Sequence, residues 1–271
     1  MNDLAIVIVS FNAREDLAAC LASLRAAPPG VRHEIVVVDN ASQDGSVEAA
    51  RAVAGVMVIA LDRNVGFAAA NNAGIRATRS ELILLLNSDT IVPAGAIDAL
   101  VARLRRDPAI GVAGPRLVGG DGRPELSFGR MISPDVEWRR KVLLRRIERD
   151  AGDARHWLRN ETAREHVVDW VSGACLLVRR RDAEAAGLLD ERFFLYTEDV
   201  DFCHAIRRLG RKVLFTPVAT VTHLRGRSRS SQPEASRQAY RRSHVAFYEK
   251  HHPMWAPLLK LYLRVQGEWP I

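Results

Sequence analysis

The sequence predicts an α/β fold built on a mostly parallel sheet. Short apolar runs alternate with stretches of helical spacing through the first 115 residues, the pattern of strand–helix–strand units with right-handed crossovers. Leu82 to Leu86 is unbroken apolar sequence, as expected for a strand covered on both faces. Polar residues follow the apolar runs at Ser10, Asp39, Asn64 and Asp89, which puts them on one rim of the sheet, where open α/β sheets take their ligands.

Taken in order, Leu4 to Val9 is a β-branched run and the first strand. Asn12, with Glu15 three residues on, reads as a capping box, and Leu17, Cys20, Leu21 and Leu24 recur at helical spacing. Pro28-Pro29-Gly30 breaks the chain before a second strand, Glu34 to Val38. A short helix to about Ala54 and a third strand near Val56 to Leu61 come next. Asn64-Val65-Gly66-Phe67 leads into a helix carrying Asn71 and Arg76. The fourth strand ends at Asn87-Ser88-Asp89, and Pro93 opens an amphipathic helix to Arg106. Ile110 to Ala113 is a short strand. From Leu117 to about Glu165 the pattern dissolves, apart from a basic helical stretch over Trp138 to Arg149. Val167 to Val178 has strand character interrupted at Ser172-Gly173-Ala174. Thr197 is placed to cap a helix that runs to Leu209 with acidic residues in its first turn. Lys212 to Phe215 and Ala219 to His223 read as two strands. Arg225 to Arg242 is strongly basic, and Met254 to Val265 reads as an amphipathic helix.

Composition narrows the function classes. The chain has 271 residues and is 48% apolar, enough for a sizeable core. A net charge of +7 favours anionic partners: phosphates, nucleic acid or an acidic membrane surface. Three scattered cysteines give neither a disulfide framework nor a zinc spacing, which fits a reducing cytosol. The sequence has neither a leader pattern nor an apolar run long enough to cross a bilayer, so the expected location is cytoplasmic. The first strand is not followed by G-x-G-x-x-G, and G-x-x-x-x-G-K-S/T is absent, which disfavours a dinucleotide dehydrogenase and a P-loop ATPase.

Asp89 is placed to hold a hard divalent cation against a diphosphate, because such ions take carboxylate and phosphate oxygens together. Alone, Asn87-Ser88-Asp89-Thr90 reads first as an ordinary turn with a helix cap. Glu198, Asp199 and Asp201 alone are a helix start that complements the macrodipole.

Together the motifs resemble family 2 glycosyltransferases, inverting enzymes of the GT-A fold, and most of all the bacterial rhamnosyltransferase-like branch. The residues that carry the likeness are Ile6-Val7-Ile8-Val9-Ser10-Phe11-Asn12, Val37-Val38-Asp39-Asn40-Ala41-Ser42 through Gly45-Ser46, and Asn64-Val65-Gly66-Phe67 with Asn71. Leu85-Leu86-Asn87-Ser88-Asp89, Ser172-Gly173-Ala174, Thr197-Glu198-Asp199-Val200-Asp201 and His223-Leu224-Arg225-Gly226-Arg227-Ser228 continue it in the family's order.

The resemblance implies a Rossmann-like central sheet with helices on both faces. It implies a transferase domain over residues 1–228, with a nucleotide-binding half to about 115 and an acceptor and catalytic half over about 116–228. Residues 229–271 are left as a C-terminal helical extension. Ser10, Phe11, Asn12, Asp39, Asn64, Asn71, Asn87 and Ser88 would bind the donor nucleotide. Asp89 fills the last position of the family's D-x-D motif, in which Asn87 replaces the first Asp, and His223 would complete a site for Mg²⁺ or Mn²⁺. His223 read without the family is equally a satisfied histidine at a strand end. Asp199 would be the catalytic base, with Gly173, Ala174, Glu198 and Asp201 as acceptor or supporting groups. The implied partners are a dTDP- or UDP-sugar, L-rhamnose as dTDP-rhamnose first, and a glycan or lipid-linked acceptor; nucleic acid is not expected. Two rivals remain: a sugar-phosphate nucleotidyltransferase and a non-catalytic nucleotide- or RNA-binding module. The first would need a basic Gly-rich loop after the first strand. The second would need aromatics interleaved with the basic residues. Met254 to Arg264 would either dock on an anionic leaflet or pack on the domain.

Overall fold

The computed structural model describes residues 2–224 and 233–269. The first half alternates as expected: β1 (Leu4–Ser10), α1 (Arg14–Ala26), β2 (His33–Asp39), α2 (Ser46–Arg51), β3 (Val56–Ala60), α3 (Phe67–Arg76) and β4 (Leu82–Asn87). A two-residue strand β5 (Thr90–Ile91), helix α4 (Ala96–Arg106) and β6 (Ile110–Val118) follow. The second half holds β7 (Phe128–Gly129), α5 (Pro134–Glu148), α6 (Gly152–Glu161), β8 (His166–Val168), β9 (Trp170–Val171), β10 (Cys175–Arg179) and α7 (Arg180–Ala185). It ends with α8 (Glu198–Arg208), β11 (Lys212–His223), α9 (Pro233–His251) and α10 (Ala256–Val265).

The main sheet runs β3-β2-β1-β4-β10-β6-β11-β5, with β8 also on β11 and β7–β9 as a separate pair. Strands β3, β2, β1 and β4 are mutually parallel, and β6 is parallel to β11. Strand β10 runs antiparallel between β4 and β6, so it starts at the rim where β4 ends.

The uninterrupted apolar strands are explained by side-chain alternation. Leu4, Ile6, Ile8, Leu82, Leu84 and Leu86 point into a core shared with Leu17, Leu21 and Leu24 of α1 and Leu100 and Leu104 of α4. Val7, Ile83 and Leu85 point the other way, into a core with Ile75 of α3, Phe202 and Ile206 of α8 and Phe247 of α9. At about 25 cal/mol per Å² of apolar surface removed from water, two such layers supply the main stabilisation of the domain. Gly74 lets α3 lie on the sheet: a Cβ there would stand 2.5 Å from a methyl of Val7.

Several local expectations change. The capping box at Asn12 does not form; Ala13 is the N-cap residue, and Asn12 takes a left-handed φ of 47°. Its side chain is used between loops instead. The helix expected at Pro93 begins at Ala96, after Gly95 takes a left-handed φ of 74° as the N-cap residue. The strand at Ile110 extends to Val118. Lys212–Phe215 and Ala219–His223 are one strand, broken in register between Thr216 and Thr220. Helix α6 lies where the sequence showed no pattern. Thr197 does precede α8, but with a left-handed φ of 65° and no side-chain cap. Among the described residues no helix is long and apolar enough to cross a membrane. The matching Arg225-Gly226-Arg227-Ser228 segment lies outside the described residues.

Candidate active site

The parallel register sets the site. Ser10 pairs with Asp39 across β1 and β2, and Val9 pairs with Asn87 across β1 and β4. The three polar residues therefore stand side by side on the C-terminal rim. The loops above them are stitched together. Asp39 Oδ1 accepts from the Ser42 N–H at 2.8 Å, Asn12 N–H donates to Ser42 Oγ at 2.9 Å, and Gln43 N–H donates to Asn12 Oδ1 at 2.8 Å. Phe11 sits partly exposed between Ser10 and Asn12.

Buried polar groups normally find partners. On this rim several lack a protein partner: Ser10 Oγ, Asp39 Oδ2, Asn71 Oδ1 and Asn87 Oδ1. All four belong to residues predicted to hold the donor. Asn64 is used differently. Its Oδ1 accepts from Asn40 Nδ2 at 2.8 Å and from the Gly66 N–H at 3.0 Å, so it shapes the loop. Asn40, which sequence reasoning did not single out, anchors the same loop by accepting from the Val65 N–H.

Asp89 and His223 come together through the short β5–β11 pairing. His223 Nε2 lies 3.3 Å from Asp89 Oδ1 and 3.4 Å from Asn87 Nδ2, and Leu224 N–H donates to the Asp89 carbonyl. Ser88 is buried between Asn87 and Asp89. Behind the ring, His223 Nδ1 lies 3.2 Å from Glu125 Oε2. Burial disfavours the charged imidazole, but Asp89 and Glu125 outweigh it and push the pKa up to about 9. Among the described residues no group of three His, Cys, Asp or Glu side chains is arranged around one metal position. A cation here would take Asp89 and the His223 nitrogen, and Asn87 Oδ1 once its amide, which now turns Nδ2 toward the ring, rotates. That donor set fits a hard ion sharing diphosphate oxygens.

The acidic motif sits on the far side of β10. Gly173 N–H donates to Asp199 Oδ2 at 2.9 Å, and Val200 N–H donates to Oδ1 at 2.8 Å. A Cβ on Gly173 would lie 3.3 Å from the Asp199 Cβ, so the glycine keeps this approach open. Ala174 connects the two halves: its carbonyl accepts from Asn87 N–H at 2.9 Å. Burial raises the Asp199 pKa, against the pull of the two N–H donors. Glu198 is 5% exposed with Oε2 unpartnered; burial, then the neighbouring Asp199 charge, raises its pKa well above the ordinary range. Asp201 points elsewhere, to Lys250 Nζ at 2.8 Å and His251 Nε2 at 2.6 Å on α9. Tyr196 and Thr197, immediately before the motif, both hold left-handed φ, at 70° and 65°. Two successive strained non-glycine residues beside a carboxylate pair are the kind of feature that marks a functional site.

The family model for glycosyl transferase family 2 matches residues 5–174. The chain belongs to glycosyl transferase family 2. The transferase is 30% identical over 270 residues to an N-acetylglucosaminyl-diphospho-decaprenol L-rhamnosyltransferase of Mycobacterium tuberculosis, covering 94% of this chain and 87% of that one. It is 27% identical to the low-salt glycan biosynthesis hexosyltransferase Agl10 of Haloferax volcanii, over 77% of this chain and 62% of the relative. Solved structures share the fold. A mannosyltransferase from Pyrobaculum calidifontis in complex with GDP-Man and Mn²⁺ superposes with a TM-score of 0.63 at 18% identity, over 95% of this chain and 68% of its own. GalNAc-T7 with UDP, GalNAc and Mn²⁺ gives 0.62 at 19% identity, where this chain covers only 43% of its length.

Proposed function

We propose that this transferase moves a sugar from a nucleoside diphosphate to a hydroxyl of a lipid-linked glycan, with inversion at the anomeric carbon. L-rhamnose from dTDP-rhamnose is the preferred donor, supported by the mycobacterial relative. The carrying observation is the rim itself: unpartnered Ser10, Asp39, Asn71 and Asn87 atoms on one side, Asp89 with His223 in the middle, and Asp199 beyond β10.

Asp39 Oδ2 can accept from a pyrimidine N3–H while Oδ1 stays committed to the loop. Ser10 Oγ and Asn71 Oδ1, both without a protein partner, would contact the same nucleotide. Asp89, His223 and Asn87 would hold Mg²⁺ or Mn²⁺. Such an ion neutralises charge on a leaving diphosphate as a Lewis acid. Asp199 accepts the proton of the acceptor hydroxyl as it attacks. Its elevated pKa brings it closer to that task than an ordinary aspartate. The two N–H donors fix the carboxylate so that little reorganisation is needed. A second carboxylate acid is not required, since diphosphate leaves without protonation by the protein, unlike the leaving group of a glycosidase. Domain limits of 1–228 and 229–271 remain the working division.

An acceptor on a lipid brings a membrane close. The outer side of α10 supports peripheral contact there. It presents Leu258, Leu261, Tyr262 and Val265 to solvent, preceded by Met254 and Trp255.

The test is transfer with a panel of dTDP-, UDP- and GDP-sugars onto a lipid-diphosphate acceptor, with EDTA and then added MnCl₂ or MgCl₂. Transfer restored by the metal and confined to one donor is the expected result. Full transfer in EDTA removes Asp89 and His223 from the cation role.

A further inference from the structure

Glu125 falls in a segment where the sequence showed no motif, yet its carboxylate is among the most buried in the site. The chain turns back after β6: Gly119 N–H donates to the Arg123 carbonyl, Gly122 N–H donates to the Gly119 carbonyl, and Gly122 holds a φ of 76°. Val118 then bridges to Pro124, and Glu125 N–H donates to the Leu117 carbonyl at 2.9 Å. Strand β6 is the parallel neighbour of β11, with Val118 beside Thr222. The turn therefore delivers Glu125 to the end of β11, where His223 stands. The side chains of Glu125, His223 and Asp89 are only 8%, 10% and 12% exposed.

We infer that Glu125 is a positioning residue for His223, holding the imidazole by Nδ1 so that Nε2 faces Asp89 and Asn87. This rests on the reading of Asp89 and His223 as cation ligands. The two ring nitrogens point in opposite directions, so Glu125, on the Nδ1 side, cannot reach an ion held at Nε2. A carboxylate there accepts the Nδ1–H, so the proton that an incoming ion displaces is the one on Nε2. Without that acceptor a buried Nδ1–H would lose its hydrogen bond, and the tautomer protonated at Nε2 would compete. Such outer partners typically change metal affinity by about 10–100-fold.

The experiment titrates MnCl₂ into full-length protein carrying labelled histidine and reads paramagnetic broadening of the His223 imidazole. Glu125→Met fills the space without an acceptor; Glu125→Gln keeps an acceptor oxygen without the charge. Mn²⁺ affinity should fall about 10–100-fold in the Met variant and stay near wild type in the Gln variant. Thermal melting reports whether each variant folds. Unchanged affinity in Glu125→Met overturns the inference. So does a loss of about tenfold or more in Glu125→Gln, and this arm stands even where the Met variant does not fold. Wild-type protein that shows no broadening at His223 rejects the cation reading itself, and the inference with it.

Discussion

At the scale of residues, the site sets two adjacent carboxylates apart. Asp199 takes two backbone N–H donors, while Glu198 has an unpartnered oxygen in a buried position. Asp199→Asn should lower turnover by about 10²–10⁴-fold with nucleotide affinity unchanged, the usual share of a positioned base. Steady-state kinetics beside nucleotide titration checks this, and near-normal turnover would reassign the base. Because the Asp199 pKa is raised, the acidic limb of kcat/KM should lie above the ordinary aspartate range. Glu198→Gln bears on stability. A carboxyl whose folded pKa is raised is favoured when protonated. Its contribution is present below the unfolded pKa, about 4.3, and is lost as pH rises through the higher folded value. The Gln variant should therefore melt higher than wild type at pH 8 and match it near pH 4. Equal melting at both would mean Glu198 ionises freely. The apolar runs did give the positions of Asp39 and Asp89 at strand ends and of Asp199 at a helix start. The sequence hid Glu125, whose partner lies 98 residues away across a turn with no periodicity. It also misread Asn12, where a left-handed backbone spends the side chain on another loop rather than on a cap.

At the scale of elements, α9 is tied to the start of α8 on both sides of the acidic motif. Thr197 Oγ1 donates to the Ser243 carbonyl, Tyr196 packs edge-on against Tyr240, and Lys250 and His251 hold Asp201. The left-handed pair Tyr196–Thr197 is strained, and these contacts hold it in place. Sequence showed α8 but read the stretch of α9 only as a basic run within a helical extension, and it gave no sign of their contact: hydrophobic spacing tells which face is buried, not against what. The same limit split β11 into two strands, because a register break looks like a turn. Asp201→Asn removes the charge that two basic groups share. It should lower stability by about 1.5–3 kcal/mol, the worth of hydrogen bonds to a charged group. Turnover should fall on the order of tenfold, since small displacements of a base are costly. Melting and kcat measured together decide the matter. Lower melting with full turnover would make α9 a brace for the fold alone.

At the scale of the whole molecule, the proposed lipid-linked acceptor would have to reach the rim from a membrane surface. Helix α10 is apolar on two faces. Ala256 and Leu263 are buried, while Leu258, Leu261, Tyr262 and Val265 on the other side are 56–76% exposed. A helix that buries one apolar stripe usually turns polar groups outward. This one carries aromatic and aliphatic groups outward, with Lys260 and Arg264 alongside, the composition of an interfacial helix. Burying the outer stripe in the headgroup region would add to electrostatic attraction worth about 1 kcal/mol per basic residue near an anionic surface. Replacing Leu258, Leu261 and Val265 together by Ser should leave the melting temperature and transfer to a short water-soluble acceptor unchanged, because none of the three is in the core. Co-sedimentation with vesicles containing anionic lipid should drop sharply, and so should transfer to a vesicle-borne acceptor. Equal sedimentation of the variant and wild type would remove α10 from the membrane contact. Loss of transfer to both acceptors alike would place its outer face in the fold of the catalytic domain instead.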